Sequence, residues 1–261
     1  MLEIQYRMNE RLMEFPSKEF YGGRVRADGS VRGGITLADL GVEEPPEGPS
    51  SEVLKPDNVL VFVDTSRRDD RFERRRYGSE SRENPLEAKL VEEIVNGLLG
   101  GLGVDPGWIG GVITPYDDQR ELIRSLLPEE VEVKTVDGYQ GREKEVIVLS
   151  LVRSNGKGEL GFLKDLRRLN VSLTRAKRKL IVVGDSSSLS PIRPISGWWS
   201  SCVRKRLSSM PANWGGCEGV PLHRELRRAE GEGHGGSEKG PVREEGGRGR
   251  YPAPGEDKLA R

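Results

Sequence analysis

The chain has 261 residues, in which 42 Lys and Arg balance 42 Asp and Glu at a formal net charge of zero. That length holds one large domain, or one medium domain with an extension. The charge balance excludes a polyanion partner recognised by the surface as a whole, so any nucleic-acid contact must come from local patches.

Cys202 and Cys217 lie late in the chain and far from either histidine. They give no disulfide framework or zinc pattern, so no metal site is expected and a reducing cytoplasm is the expected location. No apolar run approaches the ~18 residues of a membrane span. The first residues lack the basic-then-apolar build of a secretion signal, and no membrane association is expected.

The opening MLEIQYRMNE runs at once into Ile4, Gln5, Tyr6, Arg7 and Met8, an aliphatic, aromatic and basic cluster without the lead-in of a first strand. Residues 26–57 read as an irregular insertion, Pro-rich and acidic in GVEEPPEGPSSEVLKPD. NVLVFVD (58–64) is a continuous β-branched run, the pattern of a strand buried on both faces. The charged stretch RRDDRFERRRYGSESRE (67–83) shows no periodicity and reads as an exposed loop. In NPLEAKLVEEIVNGLLGGLG, Asn84 is placed to cap a helix, Pro85 sits at its first position, and glycines stop it.

WIGGVIT (108–114) is the next strand, and Thr114-Pro115 opens a helix with acids in its first turn, where the helix dipole favours them. VEVKTV (131–136), KEVIVLSLV (144–152) and KLIVVGD (179–185) are further strands, and LKDLRRLNVSLTRAK (163–177) reads as a helix ending near Arg175. Strands alternating with helices predict an α/β fold, a parallel sheet covered on both faces. Residues 1–200 form one domain in this reading. Residues 201–261, rich in Gly, Pro and charge, form a disordered tail, because such a composition buries too little apolar surface to offset its ordering entropy.

Function in open parallel sheets sits on loops beyond the carboxyl ends of strands. Three such places are unusual: DGYQGREKE after residue 136, YDDQ after Pro115, and the cationic cluster Arg175, Lys177, Arg178 and Lys179. Each alone has a plain explanation as a solvated turn, a capped helix or cations near a helix end. Their order does not. QYRMNERLMEFPSKEFYGG, ITPYDDQRELI, VDGYQGREKEVIVLSLVRSN and GFLKDLRRLNVSLTRAKRKLIVVGD together resemble motifs IV to VI of superfamily 1 helicases. The resemblance is to the group holding the nonsense-mediated-decay RNA helicase, the immunoglobulin mu-binding helicase and archaeal relatives.

The resemblance implies the second RecA-like domain (P-loop NTPase type) of a two-domain motor, with ATP in the cleft between domains. It assigns Tyr6, Gly141 and Glu143 to ATP contact, and Arg7 and Arg175 to catalysis as arginine fingers on the γ-phosphate. It also assigns Thr114, Pro115, Tyr116, Gln119, Ser150 and Arg153 to single-stranded DNA or RNA. The chemistry suits these residue types: phosphoryl transfer needs positioning and charge stabilisation, which a planar guanidinium supplies. Single-strand binding needs cations and stacking groups.

One part of the pattern is missing. No GxxxxGK[ST] occurs in the chain, and GKGELG (156–161) has the wrong order. ATP and its magnesium are therefore expected to be held mainly by a first RecA-like domain carrying motifs I to III, supplied by a separate chain, with neither bound by this chain alone and ATP hydrolysis absent from it in isolation. A split or truncated helicase gene is one source of such a chain. Two other readings are open at this point: a non-catalytic nucleic-acid-binding or interaction module, resting on TPYDDQ, LVRSN and the cations from Arg175 to Lys179, and a remnant of a split helicase gene.

Overall fold

A computed structural model describes residues 3–189 and 202–206. Six strands form one all-parallel sheet: β3 (Leu60–Asp64), β4 (Ile109–Thr114), β5 (Val133–Thr135), β6 (Lys144–Ser150), β7 (Ala176–Gly184) and β8 (Val203–Arg206). Their order across the sheet is β5-β4-β6-β7-β3-β8. Two short strands, β1 (Ile4–Gln5) and β2 (Arg26–Ala27), make a separate parallel pair. The expected α/β architecture, a RecA-like parallel sheet with helices on both faces, is what the chain adopts.

Successive strand residues point to opposite faces, and the sequence fills both with branched apolar side chains. On one face Val61, Val63, Val146, Val148, Ile181 and Val183 pack with α3 (Pro85–Asn96) and α4 (Asp117–Arg124). On the other, Leu60, Phe62, Ile147, Leu149, Leu180 and Val182 pack with α1 (Glu10–Phe20) and α5 (Leu166–Leu173). The crossover from β4 to β5 runs through α4 on the first face, and that from β6 to β7 through α5 on the second. They diverge between the neighbours β4 and β6, which makes the carboxyl ends of these two strands a topological switch point.

The helix caps follow the sequence in part. Asn84 Oδ1 accepts the Glu87 N–H at 3.1 Å, and Asp165 Oδ1 accepts from Arg167 N at 3.0 Å. The N-terminus of α4 has no cap from its own first turn; the Asp118 N–H donates instead to Ser81 Oγ at 3.1 Å, from outside the helix. Residues 26–57 carry β2, a 3-10 turn Ala38–Leu40 and α2 (Ser51–Leu54).

Three sequence expectations change. The helix expected over 163–177 is a 3-10 turn Gly161–Lys164 followed by α5, which stops at Leu173, so Arg175 lies in the turn before β7 and not within a helix. Side chains close its end: Thr174 Oγ1 donates to Asn170 O at 2.8 Å, alongside the Thr174 N–H at 3.1 Å, and Arg175 Nε donates to Val171 O at 2.8 Å. The residues after it belong to β7. Lys179 is buried and donates to Lys55 O and Asn58 O at 2.8 and 2.6 Å, while Lys177 and Arg178 pair with Glu145. The cluster from Lys177 to Lys179 is thus engaged within the domain and presents no open cationic face.

The charged stretch 67–83 is the second change, because it is folded and not a free loop. Arg74 and Glu83 exchange backbone hydrogen bonds at 2.8 and 3.0 Å, and buried Glu83 takes ion pairs from Arg74 and Arg76. The third change is β8, which pairs with β3 from within the segment assigned to the tail; Arg204 Nε donates to buried Asp64 at 3.0 Å. Apart from residues 202–206, the expected tail lies outside the described residues.

Candidate functional site: two ends of one sheet

The residues singled out by sequence divide into two groups at opposite ends of β6. This strand has seven residues, so the groups stand about 20 Å apart along it. Glu143 and Arg175 immediately precede β6 and β7, and Arg7 reaches the same edge. Thr114 and Ser150 close the carboxyl ends of β4 and β6. The carboxyl-end rule therefore holds for only one of the two groups.

At the amino end, the first block is folded by its own glutamine. Gln5 Oε1 accepts the N–H groups of Arg7 and Met8, both at 2.9 Å, and its Nε2 donates to Met8 O at 2.8 Å. Asn9 then donates its N–H to Lys177 O at 2.8 Å, which fixes this turn to the start of β7, and caps α1 by accepting from Arg11 N at 2.9 Å. Gln140, Gly141 and Arg142 form the turn into β6 from the other side. Gly141 sits at φ +80 with open space where a Cβ would be, so the backbone conformation alone demands glycine there.

These pieces converge. Arg7 Nε forms an ion pair with Glu143, which also takes Lys177 Nζ at 3.3 Å. Arg175 is anchored through Val171 O at 2.8 Å, Thr174 Oγ1 at 3.0 Å and Arg142 O at 3.4 Å. A guanidinium has five N–H donors, so the anchored Arg175 keeps donors to offer elsewhere. Burial, and next the nearby positive charge of Arg7, push the Arg175 pKa below its ordinary value. Two arginines brought together at an open edge make an anion the favoured guest. They border a cleft of about 340 Å³ with Tyr6, Met8, Met13 and Tyr21, in which Tyr6 is 67% exposed. The two methionines and Tyr21 give it an apolar wall suited to a flat ring.

At the carboxyl end, most of the expected contact residues are inside the protein. Thr114, Gln119 and Ser150 are buried. Gln119 Nε2 donates to Ser150 Oγ at 3.0 Å and Asn84 O at 3.2 Å, and its Oε1 accepts Asn84 N at 2.7 Å. Ser150 Oγ donates to Glu87 at 2.7 Å. These side chains join β6, α3 and α4 and shape the end of the sheet. Arg153 is also buried, with Nε 3.0 Å from Glu73, and donates to Tyr116 Oη at 3.3 Å. Pro115 and Tyr116 are partly exposed. Gly161, at φ +52, backs onto both the Tyr116 hydroxyl and the Arg153 guanidinium. Gly161→Ala is expected to lower stability by about 1–2 kcal/mol from the left-handed backbone alone. It should also displace Tyr116, seen as a lower urea midpoint and altered tyrosine fluorescence.

Sequence reasoning missed Glu87. It is fully buried, accepts Ser150 Oγ–H at 2.7 Å and Val152 N–H at 2.8 Å, and burial pushes its pKa up to about 8. Val152 is the one described non-glycine residue with positive φ, at 68, and the Glu87 and Asn84 side chains hold its N–H and carbonyl. The signal was present: Asn-x-x-Glu ahead of an apolar run is a capping-box signature. Here the glutamate has turned from the cap to the end of β6, and Gln119 takes the cap's N–H. Because the folded pKa lies above the unfolded value near 4.5, the unfolded state binds fewer protons between the two. The stability Glu87 contributes is complete below about pH 4.5 and is lost as pH rises through about 8. Urea midpoints at pH 5 and pH 8 should differ more in the wild type than in Glu87→Gln; equal differences refute this assignment.

A family model described as an AAA domain matches residues 1–187. An uncharacterized ATP-dependent helicase of Methanocaldococcus jannaschii is 46% identical over 192 residues, 72% of this chain and 27% of that protein. The DNA polymerase alpha-associated DNA helicase A of Saccharomyces cerevisiae is 40% identical over 192 residues, 70% of this chain and 27% of that protein. The DNA-binding protein SMUBP-2 of Rattus norvegicus is 40% identical over 193 residues, covering 73% and 18%. The chain spans under a third of the length of each of these relatives. With the RecA-like sheet and the helicase relatives pointing the same way, the chain belongs to the AAA domain family and to the helicase superfamily.

Proposed function

We propose that this chain works as the second RecA-like domain of a superfamily 1 ATP-dependent helicase. Its amino-end cleft completes an ATP site, and its carboxyl-end face borders a single nucleic-acid strand. What supports the reading most is the meeting of Tyr6, Arg7, Glu143 and Arg175, from three separated stretches of sequence, at one edge of the sheet.

The chemistry asked of these residues is electrostatic. A phosphoryl group in transfer carries charge on its equatorial oxygens, and catalysis is mostly positioning and neutralisation. Arg175, tethered through three of its donors, is held ready for the γ-phosphate. Arg7 rests on Glu143 and exchanges that carboxylate for phosphate when the cleft closes, so Glu143 acts on the nucleotide by positioning Arg7. Tyr6 supplies a ring against the base. Bound ATP and its magnesium supply the reacting phosphoryl group, and the amides and lysine of a phosphate loop, with the magnesium-binding carboxylates, belong in this reading to a first RecA-like domain. Whether that domain is joined to this chain or supplied separately does not alter the roles of the four residues.

Photolabelling tests the cleft assignment. With a first RecA-like domain of this helicase family present, 8-azido-ATP is expected to label the peptide containing Tyr6, and excess ATP to suppress it. Labelling confined to the other domain would count against the assignment.

A further inference from the structure

We propose that the folded segment 67–82 is an additional binding surface for single-stranded polynucleotide, an arginine-and-aromatic arm beside the carboxyl ends of β4 and β6. The proposal rests on the helicase reading above for the polarity of the domain, but on residues that reading does not use.

The segment holds seven arginines, no lysine and two aromatic residues. Its fold sorts the charges. Glu73 is turned inward onto Arg153 and the Ser154 N–H, and Glu83, which closes the segment, is buried under Arg74 and Arg76. Arg67, Arg74 and Arg75 remain exposed; the outward acids are Asp69, Asp70, paired with Arg68, and Glu80, paired with Arg75. The outer face thus carries as many exposed acids as exposed arginines, and what it offers a polynucleotide is guanidinium groups, which suit phosphate and base planes better than lysine.

Exposure of the aromatic rings is the second observation. Tyr77 is fully exposed and Phe72 is 47% exposed, with the Arg71 guanidinium 4.3 Å from the Phe72 ring centre. Four large hydrophobic side chains are exposed among the described residues. Ile4 and Tyr6 belong to the nucleotide end and these two to the arm. A ring left in water beside guanidinium groups is the arrangement that stacks unpaired bases while cations hold the backbone.

Anchoring is the third. Arg76 donates to Asp118 O at 3.1 Å, Asn84 Nδ2 to Arg71 O at 2.7 Å, Glu73 N to Ser154 O at 3.0 Å, and Ser81 caps α4. The arm is thus tied to the starts of α3 and α4 and to the end of β6, next to Tyr116. A surface ordered in advance avoids the entropy of ordering on binding.

Fluorescence anisotropy of the full chain with labelled oligo-dT and oligo-U, single-stranded and as duplexes, tests this directly. Tyr77→Ala is expected to weaken single-strand binding about tenfold and leave duplex binding unchanged, because paired bases offer no free face. Arg75→Ala should lower the slope of log affinity against log salt by about 0.7 on single strands. Both side chains are exposed, and circular dichroism checks that the fold is kept. Wild-type binding with both variants unchanged would overturn the arm alone. No single-strand binding by the wild type would overturn both the arm and the carboxyl-end face.

Discussion

Replacing Arg175 with alanine is expected to cut ATP turnover about 10³-fold or more in the assembled two-domain motor, the range by which an arginine finger accelerates phosphoryl transfer. The chain should keep its fold, because the carbonyls that Arg175 satisfies lie in a half-exposed turn where water replaces the guanidinium. The loss should fall on kcat rather than on nucleotide affinity, since the charge it neutralises develops in the transition state. Arg175→Lys should not restore the rate: an ammonium cannot both keep the tether to Val171 O and Thr174 Oγ1 and span two phosphate oxygens. Arg7→Ala should cost less, because Lys177 also neutralises Glu143. Steady-state ATPase of the three variants at saturating ATP measures this order. An Arg175→Ala rate within a few-fold of wild type would remove Arg175 from catalysis.

The largest effect on stability is expected from Glu87→Ala, at about 3–5 kcal/mol by urea unfolding. Its carboxyl receives donors from Ser150 and Val152 in a site closed to water, and each orphaned buried donor costs about 1–3 kcal/mol before the cavity is counted. Val152 holds a left-handed backbone that a β-branched residue adopts only under restraint. Without Glu87 the end of β6 should relax and release Arg153. Glu87→Gln keeps an acceptor for the Val152 N–H and the shape of the side chain, so it should cost about 1 kcal/mol or less. The contrast between the two variants separates a hydrogen-bonding role from simple filling of space. If alanine and glutamine cost the same, Glu87 does not act as the acceptor that holds Val152.

Much of the fold could be read from β-branched runs, since NVLVFVD, KEVIVLSLV and KLIVVGD have no other stable use than strands buried on both faces. Less of the ends could. LNVSLTRAK keeps helical spacing beyond Leu173, and only the back-bonding of Thr174 and Arg175 shows where the helix stops. VRKR was hidden by its polarity, which suits an edge strand with one side chain packed inward. The arm escaped notice because ion pairs and a single bridge leave no hydrophobic period to detect.

The site divided in the same way. Motif resemblance supplied the residue types at both ends of the sheet, and the structure brings Tyr6, Arg7, Glu143 and Arg175 together. Residue lists carry no accessibility, so Gln119, Ser150 and Arg153 read as ligand contacts although each is enclosed by partners from α3, α4 or the arm. Their placement points to work on the shape of the carboxyl end, leaving Tyr116 and Pro115 as the members nearer solvent.

The most direct test of the central claim is nucleic-acid-stimulated ATPase of this chain mixed with a first RecA-like domain of its helicase family that carries the phosphate loop. The account predicts turnover well above that of either part alone, stimulated by single strands and abolished by Arg175→Ala. No gain on mixing, or a gain that survives Arg7→Ala and Arg175→Ala together, would contradict it.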